Sequence, residues 1–337
     1  MRFKSFTVIL CLWASLSGCK RDRDVKCAFV PDTKSIPIDL RIESLEDSLP
    51  SIATKAQLVT FLTRHPHLRD HFFGRSRYPN DSIFINELYR RFTNPAMDTL
   101  LIEAHNVFGS GQELKEQFRT AFANIKYYYP DFKPPALQTI ISGMETDLLV
   151  SDSLVVIGLD YFLGPNSRYR PNMYEYMLRR YTKDFIVPSV LLLYGIDTHF
   201  NKTDLADKTV LADMIAYGKA YYFAKRMLPC TPDSLFIGFT SEEINSAREN
   251  EDLIYIRLIE NEVMYSTRHQ IKQRYLAERP KTLEIGEKCP GRIGQWVGWQ
   301  IVEAYARQNP GRTVPQIMSN AQAAVIFKDS KYRPGKK

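Results

Sequence analysis

A mostly helical α+β fold with a small sheet is what this sequence predicts, on three observations. From Ala53 onward apolar residues recur at helical spacing, punctuated by residues that start and stop helices. Two runs rich in β-branched residues, at 137–142 and 153–159, interrupt that regime. No Pro/Gly/Ser-rich or charged linker divides 35–330, which therefore reads as one domain.

The elements follow in order. Apolar and polar residues alternate over Ile36-Pro37-Ile38-Asp39-Leu40-Arg41-Ile42, which predicts a first strand. Helices are expected over 54–64, 66–73, 81–91, 97–109 and 111–127. Asp81-Ser82 and Asn94-Pro95 supply starts, and Gly109 and Pro130 supply stops. Leu137, Ile140 and Ile141 mark one strand and the run from Ser153 to Leu159 another, with Met144 to Leu148 as the loop between them. Helical spacing resumes over 171–181, 184–195, 205–227, 241–249, 251–264, 267–277 and 294–307, with a last short helix near 314–325. In the penultimate one Gly294 and Gly298 lie four apart and predict close approach to a neighbouring helix. Trp296 and Trp299 beside them fill core or rim.

The chain carries 45 Lys and Arg against 38 Asp and Glu, a formal charge of +7. The two signs are interleaved except in the tail from Lys328 to Lys337, and no helix-turn-helix, finger or RNP-like motif accompanies a basic stripe. Nucleic acid is therefore not an expected partner. An anionic envelope surface is the milder reading of the charge.

The amino terminus sets the compartment. Arg2 and Lys4 precede an apolar run from Phe6 to Leu16, which has the length of a signal peptide and is too short to span a bilayer as a helix. Leu16-Ser17-Gly18-Cys19 resembles the bacterial lipobox, in which cleavage exposes the cysteine as an acylated first residue. The chain thus divides into a signal peptide (1–18), a lipid-anchored tether (19–34), a globular domain (35–330) and a basic tail (331–337). More than one acyl chain on Cys19 suffices for stable attachment to the cell membrane. Cys27 falls in the tether. Cys230 and Cys289 both sit beside prolines in a compartment that permits disulfides, so they pair with each other or remain buried thiols.

Local motifs for catalysis are weak. His67 and His71 fall four apart after Pro66, the spacing of two zinc ligands in H-E-x-x-H, but Leu68 holds the place of the glutamate base. A solvated surface helix explains them better. The glycines of 291–298 match neither G-x-G-x-x-G nor the P-loop, and no G-x-S-x-G elbow is present. No catalytic residue, metal site or cofactor is predicted. Ser48, Ser82, Thr99, Ser153 and Ser234 each follow Asp and precede an aliphatic residue, a pattern resembling the O-glycosylation signal of Bacteroidota. Helix caps and turns use the same residues, and both readings stay open.

A wider resemblance runs through Ser76-Arg77-Tyr78-Pro79-Asn80-Asp81, Tyr127-Tyr128-Tyr129-Pro130-Asp131-Phe132 and Gly158-Leu159-Asp160-Tyr161-Phe162-Leu163-Gly164. It continues through Met214-Ile215-Ala216-Tyr217-Gly218-Lys219-Ala220-Tyr221-Tyr222 and Gly294-Gln295-Trp296-Val297-Gly298-Trp299-Gln300-Ile301-Val302. In this order, behind a lipobox, they resemble the GldB family of gliding-motility lipoproteins. The resemblance implies an envelope lipoprotein, most naturally facing the periplasm, with partners in the gliding and type IX secretion machinery. It also implies a zincin-like peptidase scaffold, because that family is similar to zinc peptidases. Aligned so, His199 takes the second histidine's place, Gly195 the first, Ile196 the base, and Tyr217-Gly218 the Glu-Gly that carries the third ligand. A catalytic zinc needs about three protein ligands and a base. The expectation is therefore a non-catalytic binding protein with a groove near Asp160, His199, Tyr217 and Lys219, the alternative being a zinc-dependent peptidase or other hydrolase.

Overall fold

Alternation sets up the strands and capping sets the helix ends, and a computed structural model describes the result for Cys27 and residues 29–335. Four strands, β1 (Ile42–Ser44), β2 (Ala136–Ile140), β3 (Leu148–Val150) and β4 (Leu154–Gly158), form one sheet in the order β1-β2-β4-β3. β1, β2 and β4 run parallel, and β3 is antiparallel to β4. All five residues of β4 are buried, as expected of a central strand covered on both faces.

Between β1 and β2 come α1 (Lys55–Arg64), α2 (Asp81–Phe92), α3 (Ala96–Phe108) and α4 (Gln112–Tyr128). After β4 the chain is helical: α5 (Glu175–Leu178), α6 (Ile186–Ile196), α7 (Val210–Met227), α8 (Ser234–Ile237), α9 (Ser241–Glu249) and α10 (Glu251–Glu260). Then follow α11 (His269–Tyr275), α12 (Ile293–Gln308), α13 (Val314–Met318) and α14 (Ala323–Ser330). The buried apolar side chains form a connected cluster from Leu40 to Tyr332.

Side-chain caps decide several starts. Thr54 with Gln57, Thr240 with Glu243 and Thr313 with Gln316 form capping boxes at α1, α9 and α13. Asn80, rather than Asp81 or Ser82, caps α2 by accepting from Ile83 N. α7 begins at Val210 and not near 205, because Asp207 accepts from Thr209 and Thr209 in turn caps Ala212 N.

Other differences have local causes. The alternating segment 36–42 pairs only from Ile42, where Leu137 to Thr139 of β2 lie alongside. β3, read as loop through Leu148, is a three-residue edge strand returned from β4 by the Ser151–Ser153 turn. That length is too short for periodicity to register. The expected helix at 171–181 shrinks to Glu175–Leu178, and α8 goes unforeseen. The last helix splits into α13 and α14, and the carbonyls of Met318 and Asn320 exposed by the break are taken up by Lys219. The tail does not hang free at its start, since Tyr332 is buried and donates to Glu251 at 2.7 Å.

The helical centre is built on glycine. A Cβ on Gly298 would lie 1.9 Å from Met214 O, and one on Gly218 would lie 2.3 Å from Gly298 O. α7 and α12 therefore cross backbone against backbone, which is the close approach that the Gly294/Gly298 spacing predicts. Gly294 itself meets Tyr275 and Leu276 at the end of α11, and Trp296 and Trp299 are buried.

Candidate functional site

The site that the resemblance points to centres on α6, which packs against α7 and against the β3 edge. α6 is apolar on nearly every side, as its sequence Ile186-Val187-Pro188-Ser189-Val190-Leu191-Leu192-Leu193-Tyr194-Gly195-Ile196 dictates. At Gly195 it meets α7 so closely that a Cβ would stand 2.8 Å from Ala220 O. Asn201 staples the same crossing, its Nδ2 donating to Gly195 O at 2.9 Å and Ala216 O at 3.0 Å. Nothing in the sequence around Asn201 announces this role.

His199 is not on α6. The helix ends at Ile196, and Asp197 turns the chain by accepting from His199 N at 2.7 Å. The exposed imidazole stands edge-on to Phe200, with ring centroids 4.9 Å apart. Tyr217 is half-buried and lines a cleft of about 430 Å³ with Ile196, Asp213, His269 and Lys272, where Lys272 pairs with Asp213 at 2.7 Å.

Lys219, two residues on, points the other way and is buried. Its Nζ donates to the carbonyls of Lys202, Met318 (3.1 Å) and Asn320 (2.9 Å), one for each ammonium proton. Burial pushes its pKa down to about 7, while three carbonyl dipoles favour the charged form. Asp160 is fully buried beyond the carboxyl end of β4. It accepts from Ser142 N (2.9 Å), Ser142 Oγ (3.1 Å) and Met144 N (2.5 Å), fixing the loop after β2. Burial raises its pKa against the pull of those donors. Asp160 and Lys219 are thus internal braces. The four residues expected to line one groove do not share one: Tyr217 lines a cleft, His199 is on the surface, and two are inside.

β3 offers a different kind of site. Gly158 N donates to Asp147 O and Ser151 N to Leu154 O, so Asp147, Leu149 and Ser151 face β4. By antiparallel alternation the backbone groups of Leu148 and Val150 point away from the sheet. Among the described residues, Val150 N and the carbonyls of Leu148 and Val150 have no hydrogen-bond partner. That is the geometry of an edge able to accept another strand.

The remaining sequence candidates are dispersed. His67 and His71 are exposed on a π-turn closed by Phe73 N to Leu68 O, their rings stacked at 5.8 Å. Among the described residues no three His, Cys, Asp or Glu converge on one point. Ser48, Ser82 and Ser153 are exposed, while Thr99 and Ser234 are half-buried. Cys230 does not pair with Cys289. It is bonded to Cys27, 203 positions earlier, and Cys289 is a free buried thiol pushed up to about 12 by its surroundings. The adjacent prolines were equally compatible with either partner, so sequence could not choose. Cys19 and the signal segment lie outside the described residues.

No helix among the described residues is long and apolar enough to cross a membrane. No curated protein and no solved structure matches the chain. The profile described as gliding motility protein GldB matches residues 26–334, nearly the whole chain. The chain therefore belongs to the GldB family of gliding-motility lipoproteins.

Proposed function

We propose that this chain is held at the cell envelope by acyl chains on Cys19, faces the periplasm, and serves the gliding apparatus and the linked type IX secretion machinery as a non-catalytic binding or assembly component. Family membership supports the gliding context. The observation that carries the non-catalytic part is the contact at Gly195. A zincin-like scaffold places metal ligands on the helices corresponding to α6 and α7. Here those helices meet backbone to backbone at Gly195 and Ala220, and Tyr217-Gly218 stands where a Glu-Gly would. These residues do not fit a zinc ion.

A mixed sheet with an antiparallel edge strand supports the scaffold reading, and the free backbone of β3 supports recognition of an extended chain by strand addition. Photo-crosslinking from a site beside β3 in intact cells tests this. One adduct should form, and Val150→Pro should erase it, since the substitution removes only the outward N–H while Leu149 and Ser151 keep their bonds to β4. An unchanged adduct overturns the strand-addition reading. Stoichiometric zinc lost on His67→Ala or His71→Ala would overturn the non-catalytic one and favour a hydrolase.

A further inference from the structure

A second cleft, of about 340 Å³, opens on the far side of the sheet from β3. It lies beyond the carboxyl ends of β1 and β2, the place where parallel strands present loops to ligands. Its volume is that of a small-molecule pocket and too small for a folded partner. Ser44 ends β1, Thr139 belongs to β2, and the loop Gly109-Ser110-Gly111 closes the opposite wall at the start of α4.

Two features of this cleft are not explained by the fold. Glu46 is only 7 % exposed and lines it, yet just one of its oxygens is satisfied. Oε1 accepts from Thr139 Oγ1 at 2.9 Å, while the buried Oε2 has no partner. A buried acceptor left unmade is costly, so its retention asks for a donor. Across the cleft, α4 begins with no capping side chain. Gly109 (φ +55°) and Gly111 (φ +71°) are both left-handed, and a Cβ at either would meet nothing within 4 Å. The seventeen-residue helix thus begins on the wall of the cleft with its first-turn N–H groups uncapped by any side chain, and Lys115, which also lines the cleft, makes no ion pair among the described residues. On the rim, Asp47 and His105 are occupied with each other at 3.3 Å.

One wall therefore lacks a hydrogen-bond donor or cation and the other lacks an anion. We propose that this cleft binds a small zwitterion, a free amino acid or a short peptide with unblocked ends, its ammonium on Glu46 and its carboxylate on the start of α4 beside Lys115. The inference is independent of the β3 edge and of whether the chain catalyses anything.

Calorimetric titration of the full mature chain tests it, with alanine and alanylalanine as probes and their N-acetyl and C-amide forms as controls. Saturable binding of at least one unblocked probe is expected. Either block should weaken it by about tenfold or more, as loss of one charge-assisted contact does. Alanine alone identifies the ligand as a free amino acid, and alanylalanine alone identifies it as a peptide. Glu46→Gln keeps the Thr139 bond and should cost the same tenfold. The proposal is overturned by no binding of either probe, by equal binding of the blocked forms, or by full affinity in E46Q. Should E46Q fail to fold, the blocked probes on the natural chain decide alone.

Discussion

Lys219 and Glu46 are both charged side chains withdrawn from water, and the two regions around them have opposite designs. At Lys219 every proton has a carbonyl, and the neighbouring Gly218 and Gly298 bring backbones into contact so that no space remains. At Glu46 one oxygen is bonded and one is not, and the surroundings open into a cleft. A fully satisfied buried charge is a structural tie, and a half-satisfied one marks a place built for something else. The contrast separates scaffold from site better than residue type does, since the sequence offers Lys219 and not Glu46 as the suggestive residue.

Substitutions can break or sharpen this contrast. The largest effect belongs to Gly298→Val, which forces a branched side chain into a space where even a Cβ would stand 1.9 Å from Met214 O. A loss of roughly 4 kcal/mol or more is expected, read as an absent or steeply lowered thermal transition. Cys230→Ser opens a link spanning 203 positions and should cost about 2–5 kcal/mol in denaturant unfolding under oxidising conditions. If it costs nothing, Cys27 is not a structural partner. Lys219→Met strands the carbonyls of Lys202 and Asn320, while Met318 O keeps its bond from Lys202 N, and should lose about 2–3 kcal/mol, measured the same way. A neutral result would place Lys219 with the sites rather than the ties.

Glu46→Gln comes last and has the opposite sign. Burial raises the folded pKa of Glu46 above 4.5. Below that value both states are protonated and the natural chain is not penalised. As pH rises, the unfolded chain ionises first, so stability is lost until the folded pKa is passed. The glutamine variant escapes this loss, and its melting temperature should pull ahead of the natural chain's as pH climbs from 4.5. Parallel melting curves across that range would show that Glu46 is already satisfied.

The same physical distinction explains what could be read from the chain. α1, α2, α3, α4, α9 and α12 are legible because each is periodic, with capping side chains at α1, α2 and α9 besides, and the Gly294/Gly298 spacing foretells a close helix crossing. β3 is not, since three residues carry no period, and neither is the true reach of β1, which depends on where β2 begins. Of the site residues, Tyr217 was placed near a cleft, but the inward turn of Lys219 depends on carbonyls 99 and 101 positions away. The cleft at Glu46 was invisible because Glu46, Thr139 and the Gly109–Gly111 loop are brought together only by the sheet. Which of two loop cysteines meets Cys27 is likewise a matter of tertiary distance.

That last bond has a consequence for reach. Cys27 is eight residues after Cys19, and a fully extended chain of that length covers no more than about 28 Å. Under the proposed acylation of Cys19, the bond to Cys230 replaces a long leash with a short one. The loop between α7 and α8 would then be the membrane-proximal pole of the protein, held within about that span of the anchored residue. Any partner would then have to come to the membrane to meet it.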